Sequence, residues 1–138
     1  MTPTVYVYQA TIASIHDGDS LRVNILLARV RRHRPAAPVD LGFNAWRTNR
    51  GLELRGQAVR LLGCNAPELS TPEGKAARDF IQTLIAVGDT VELTSYGWDK
   101  YGGRIDGKVK LADGRDLSQA MIDAGHALPW DGKGTKPV

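Results

Sequence analysis

A chain of 138 residues, 42% hydrophobic and 24% charged, has the length for one domain with its own core, and its composition is neither fibrous nor that of a disordered chain. The net charge of +3 and pI of 9.2 lean mildly towards polyanionic partners and away from an acidic, solvating protein. One cysteine, Cys64, excludes an internal disulfide framework and suits a reducing compartment, and no run approaches the ~20 apolar residues of a membrane span.

Val5-Tyr6-Val7-Tyr8 is too short for a secretion leader and is interrupted at Gln9, so a cytoplasmic protein without an export signal is expected. Thr4 to Ile15 is rich in β-branched and aromatic residues and predicts a strand. His16-Asp17-Gly18-Asp19 breaks it with an Asp-Gly turn, and Ser20 to Leu27 resumes an extended pattern, making a hairpin.

Ala28 to Gly56 is a long connection for a compact domain. Arg29, Arg31, Arg32, Arg34, Arg47, Arg50 and Arg55 face only two acids there, Asp40 and Glu53. Such a stretch attracts phosphate backbones regardless of sequence, although a charge run is also an ordinary solvated loop. A basic tip followed by a strand from Val39 to Trp46 is expected.

Gln57 to Gly63 reads as a third strand, ended by Pro67. Ser70-Thr71-Pro72-Glu73 is a helix start, with a hydroxyl cap, proline in the first turn and an acid behind it. Ala77, Phe80, Ile81, Leu84 and Ile85 follow at helical spacing, with Gly88 as the stop. Thr90 to Ser95 and Ile105 to Leu111 are two further strands around a loop from Asp99 to Arg104. Asp116 caps a short helix with Leu117, Met121 and Ala124 on its inner face, closed by Gly125. The Gly-, Lys- and Pro-rich tail after Trp130 is expected to fray. The order predicts a mainly β fold: a small closed barrel of five strands with two helices, one domain over residues 1–130 with a basic insertion at 28–56 and a flexible tail at 131–138.

Three separated stretches carry chemistry. Asp17 and Asp19 are two apart, so on an extended backbone they project to one side, and two converging carboxylates repel unless a cation neutralises them. Oxygen ligands without a nearby His or Cys suit a hard ion, Ca²⁺ or Mg²⁺. Taken alone, however, Asp-Gly is a routine turn. Arg60 interrupts an apolar strand and must reach the surface, pair with an acid or line a site. Glu68 follows just beyond the strand end, and Arg104 supplies a second guanidinium. Together these are the groups that metal-assisted attack of water on a phosphodiester requires. Acyl transfer, hydride transfer and thiol chemistry would each need something else. His16, His33 and His126 form no ligand spacing.

In order and local wording, Asp17-Gly18-Asp19, Arg60-Leu61-Leu62-Gly63-Cys64-Asn65-Ala66-Pro67-Glu68 and Asp99-Lys100-Tyr101-Gly102-Gly103-Arg104 resemble the staphylococcal (micrococcal) nuclease family, thermonuclease-like proteins, from about Tyr8 to Trp130. The resemblance implies a five-stranded OB-fold Greek-key barrel and a Ca²⁺-dependent nuclease, with Mg²⁺ as an alternative, acting on DNA, RNA or both. It implies that Asp19, Asn65 and the Ala66 carbonyl hold the metal, with Asp17 the nearby acid. Arg60 and Arg104 would bind the scissile phosphate, Glu68 would orient or deprotonate water, and Lys100 and Tyr101 would contact a neighbouring phosphate. Trp130 offers a face for a base, though packing against the barrel is its more ordinary role. The resemblance further implies a nucleic-acid partner, no membrane or protein partner and a monomer; the short form is similar to bacteriophage or prophage nuclease-like proteins.

This chain departs from the family pattern in three ways. Asn65 stands where a second metal-binding aspartate is usual, Gly102-Gly103 adds a residue before Arg104, and a short tail stands where a long C-terminal helix is usual. A non-catalytic OB module that binds nucleic acid is therefore the alternative, and a protein-interaction domain with a vestigial site a weaker third.

Overall fold

The computed structural model describes residues 6–29, 35, 37–98 and 103–130. In chain order the elements are β1 (Tyr6–Asp17), β2 (Ser20–Arg29), β3 (Val39–Gly42), β4 (Ala45–Arg47), β5 (Gly51–Leu61), β6 (Gly63–Asn65), α1 (Pro72–Leu84), β7 (Thr90–Trp98), β8 (Arg104–Lys110), α2 (Leu117–Asp123) and β9 (Leu128–Trp130).

Strands β1 and β2 form the expected hairpin, with Ile12 opposite Val23. β2 pairs with β5, β5 runs parallel to β8, β8 pairs with β7, and β7 returns to β1. The β2–β5 pairing closes this ring, so β1, β2, β5, β8 and β7 make a five-stranded barrel in the order of an OB-fold. Period-two alternation sends Val59 and Leu61 of β5 inward, where they meet Ile12, Leu21, Val23, Leu93 and Val109, all at most 1% exposed. Ala58 and Arg60 consequently face outward.

Helix α1 begins as the sequence predicts: the Thr71 hydroxyl caps it, accepting from the Gly74 N–H at 3.0 Å, with Pro72 in the first turn. Its apolar stripe of Ala77 and Ile81 is fully buried, and shortening a side chain such as Ile81 to alanine would cost about 2–5 kcal/mol. Asp116 caps α2 by accepting from Gln119 N–H at 3.1 Å. Among the described residues no helix is long and apolar enough to cross a membrane.

The structure departs from the sequence expectation at several points. The third barrel strand starts at Gly51, not Gln57. The register slips between Val23–Gln57 and Ile25–Leu54, a bulge at Gly56 (φ 68°), whose N–H donates to Asn24 Oδ1 at 2.9 Å. The bulge lets both Leu54 and Gln57 point inward on one continuous strand. The segment from Val39 to Trp46 is a hairpin rather than one strand, because Phe43 and Asn44 adopt φ of 52° and 65° and reverse the chain. α1 ends at Leu84, before Gly88. Ala124 is exposed beyond the end of α2, and the buried inner positions are Leu117, Ser118, Ala120 and Met121. Unforeseen, β6 and β9 pair, placing Trp130 opposite Gly63. The expected basic tip lies largely, and the tail after Trp130 entirely, outside the described residues.

Candidate active site

The β1–β2 turn is built on its own carboxylate: Asp17 Oδ1 accepts the Asp19 N–H at 3.1 Å. Gly18 between them is buried, and a Cβ there would lie 2.8 Å from Ala66 Cβ and 2.9 Å from Ala77 Cβ. The turn therefore presses against both the segment after β6 and the face of α1. Asp19 is tied to the same region twice more. Its carbonyl accepts the Leu61 N–H at 2.9 Å, and its Oδ2 accepts the Ala66 N–H at 2.8 Å.

Arg60 reaches the Asp19 carboxylate from β5, Nη2 to Oδ2 at 3.4 Å, with both side chains nearly enclosed. Its other donors are spent on backbone and amide. Nη1 donates to the carbonyls of Leu61 at 2.7 Å and Cys64 at 3.0 Å, and Nη2 to Asn65 Oδ1 at 3.3 Å. The Trp130 ring lies beneath, its centroid 5.6 Å from the guanidinium carbon. The planar fork is thus fixed in one orientation by three chain segments.

Asp19 is only 7% exposed. Burial pushes its carboxyl up to about 6, against the lowering pull of Arg60 and the Ala66 N–H, and the neighbouring Asp17 carboxyl adds to the rise. Desolvation wins over the ion pair. Cys64 is buried, and burial pushes its thiol up to about 11, which leaves it inert.

Glu68 follows two residues after Ala66 and is exposed. Its carbonyl accepts from the Thr71 N–H at 3.0 Å and the Thr71 hydroxyl at 2.7 Å. Gly74 makes room for that carbonyl, since a Cβ on it would lie 1.8 Å from the Glu68 oxygen. Arg104 is brought alongside by the parallel β5–β8 pairing, in which Ala58 faces Arg104 and Arg60 faces Asp106. Arg60 and Arg104 therefore share the outer face of adjacent strands, with Arg22 of β2 opposite Ala58 on the other side.

The fold thus gathers Asp17, Asp19, Arg60, Asn65, Ala66 and Trp130 directly, and sets Glu68 and Arg104 on the segments bordering them. Lys100 and Tyr101 lie outside the described residues. Sequence reasoning did not single out Gly18 and Gly74 as positioning residues; their only signal was a glycine at a turn and a glycine in the first turn of a helix.

The model of the staphylococcal nuclease homologue family matches residues 58–134, a span that holds Arg60, Glu68 and Arg104 and begins after Asp19. Two curated proteins, from Escherichia coli and Escherichia coli O157:H7, each named an uncharacterized endonuclease, are 38% and 36% identical over 80 residues. The match covers 58% of this chain and 51% of each relative, so the chain spans about half the length of the curated relatives it matches.

Proposed function

The chain belongs to the staphylococcal nuclease homologue family, and from that premise we propose that it is a metal-dependent nuclease hydrolysing phosphodiester bonds of DNA, RNA or both. The observation that carries this is the enclosed Arg60–Asp19 pair on the barrel's outer face, beside the strand that bears Arg104 and the segment that bears Glu68. The pair holds the planar fork in one orientation, and Arg60 would bind a phosphate oxygen by exchanging one of its present partners for it.

Among the described residues no three His, Cys, Asp or Glu side chains form a metal-holding group, and the oxygen donors around Asp19 are the Asp17 carboxylate and, through Arg60, the Asn65 amide oxygen. They fit a hard divalent ion in kind, and the raised Asp19 carboxyl is a group that a cation would return to its charged form. Asp19, Asn65 and Ala66, with Asp17 nearby, would hold Ca²⁺, or Mg²⁺, which when bound neutralises charge on the phosphate. Arg60 and Arg104 bind the non-bridging oxygens and stabilise the charge that builds on them during attack, an effect worth about 10²–10³ in rate per donor. Glu68 takes the proton of the attacking water as the bond from phosphorus to the leaving oxygen breaks. The family resemblance makes that leaving atom the 5′-oxygen.

Asn65 favours a second reading, a nucleic-acid-binding barrel without catalysis, because its oxygen is neutral and already accepts from Arg60. Plasmid degradation by the purified protein, with and without a chelator, separates the two. Chelator-sensitive cleavage that disappears in Glu68→Gln while binding persists is the expected result. Equal background digestion by both proteins would leave the binder standing.

A further inference from the structure

The hairpin β3–β4 lies outside the residues that match the family, 58–134, and outside the barrel. It adds to the edge of β5, with Trp46 opposite Glu53. β2 occupies the other edge of β5, so β4 and β8 lie along the same edge, β4 beside Leu52–Leu54 and β8 beside Ala58–Leu61. The outer surface that carries Arg60, Arg104 and Arg22 therefore runs on without a break past the Gly56 bulge to Arg55 and Trp46.

Two features of that extension present flat surfaces to solvent. The Arg55 guanidinium lies over the Trp46 ring, 4.8 Å from its centroid, making a flat cationic platform on a half-buried indole. At the hairpin tip, Phe43 is 100% exposed and sits at φ 52°, followed by Asn44 at φ 65°. A turn of that hand favours glycine, asparagine or aspartate, and an aromatic there is strained. A ring with no buried surface returns nothing to the core for that strain. Exposed Arg47 and Arg50 lie at the far end of the hairpin from this tip, while Glu53 is enclosed, hydrogen-bonded to the Thr48 hydroxyl and 4.0 Å from the Arg55 guanidinium, and Asp40, opposite Trp46, is the exposed acid of the extension.

We propose that this hairpin is an accessory clamp for single-stranded nucleic acid, resting on the nuclease reading above. A strand running from the site along the outer face of β5 stacks one base on the Arg55–Trp46 platform and another on Phe43. Stacking requires open base faces, which an unpaired strand presents and a duplex hides. From Arg60 to Leu54, opposite Ala45 in the hairpin, is roughly 20 Å at 3.3 Å per residue, a span of about six stacked nucleotides at 3.4 Å each.

The test is fluorescence anisotropy of a labelled oligothymidylate of about 20 nucleotides with the full chain in chelator, which prevents cleavage. Phe43→Asn suits the backbone of the turn and should melt no lower than the wild type, yet bind the oligonucleotide about tenfold more weakly. Phe43→Trp, which keeps the ring, should restore the affinity. Equal affinity for wild type and Phe43→Asn overturns the clamp, as does a Phe43→Asn loss seen only on anionic vesicles, which would assign the tip to a membrane surface. Cleavage is scored separately on the same proteins. Wild-type protein that grips the strand through Phe43 but never cleaves it would end the nuclease reading and leave the clamp standing. Cleavage with indifferent hairpin variants would do the reverse.

Discussion

Arg60 and Asp19 meet at 3.4 Å across the closing seam between β2 and β5, and each fixes the other inside a nearly enclosed pocket of backbone carbonyls and amides. Removing one partner of such a pair leaves the other charge buried alone. Arg60→Ala should therefore lose about 3 kcal/mol of metal-free stability at pH 8, and less at pH 5, where Asp19 takes a proton. Arg60→Lys keeps the charge but not the fork, so it should restore only part of the loss. Urea unfolding at the two pH values measures this; identical losses at both would show that Asp19 is not the partner that matters.

Burial of Asp19 sets a pH dependence that the pair with Arg60 only partly offsets. Asp19 has a folded-state pKa of about 6 against an ordinary 3.8, so between those values the folded chain holds a proton that the unfolded chain has released. Stability from this group is complete below about pH 4 and is lost as pH rises through 6, by about 3 kcal/mol at 1.4 kcal/mol per unit. Melting curves of metal-free protein from pH 4 to 8 should show that decline, and Asp19→Asn should flatten it. An unchanged slope in the variant would place the effect elsewhere.

Local signals were legible where one residue type performs one local task. The Asp17-Gly18-Asp19 turn and the Thr71 and Asp116 caps all stand where the sequence pointed. The start of β5 was hidden because a strand carrying Glu53, Arg55 and Gly56 looks like a loop until the bulge is known. Ala124 continues the spacing of α2 arithmetically, but the helix has ended before it. Least legible was the non-local geometry. Periodicity offered Arg60 the surface, an acid or a site, and only the β2–β5 and β5–β8 pairings decide that it meets Asp19 and lies beside Arg104's strand.

The backbone of Glu68, the proposed general base, depends on Gly74. Gly74 leaves the space into which the Glu68 carbonyl fits, and a methyl there would sit 1.8 Å from that oxygen. Gly74→Ala must push the Glu68 segment off α1, costing about 1–3 kcal/mol of stability. A displacement of ~1 Å in a catalytic group can cost ~10²-fold in rate, so activity at a temperature where the variant is still folded should fall by about that factor. Activity that tracks only the folded fraction would remove Gly74 from any positioning role.

In the proposed cation site Asn65 would supply a neutral oxygen where a charged one would serve better, and that oxygen accepts from Arg60 Nη2 at 3.3 Å. Asn65→Asp adds a third carboxylate beside Asp17 and Asp19, and ligand charge raises Ca²⁺ affinity. Calorimetric titration should show tightening by about tenfold, roughly 1.4 kcal/mol. The new carboxylate has a rival use, because Arg60 already touches that position and would form a stronger, charge-assisted bond to it. If Arg60 captures it, the metal-free protein melts higher while Ca²⁺ affinity stays where it was. That pair of results would mean the side chain at position 65 serves the arginine rather than the metal, and the cation would have to be held without it.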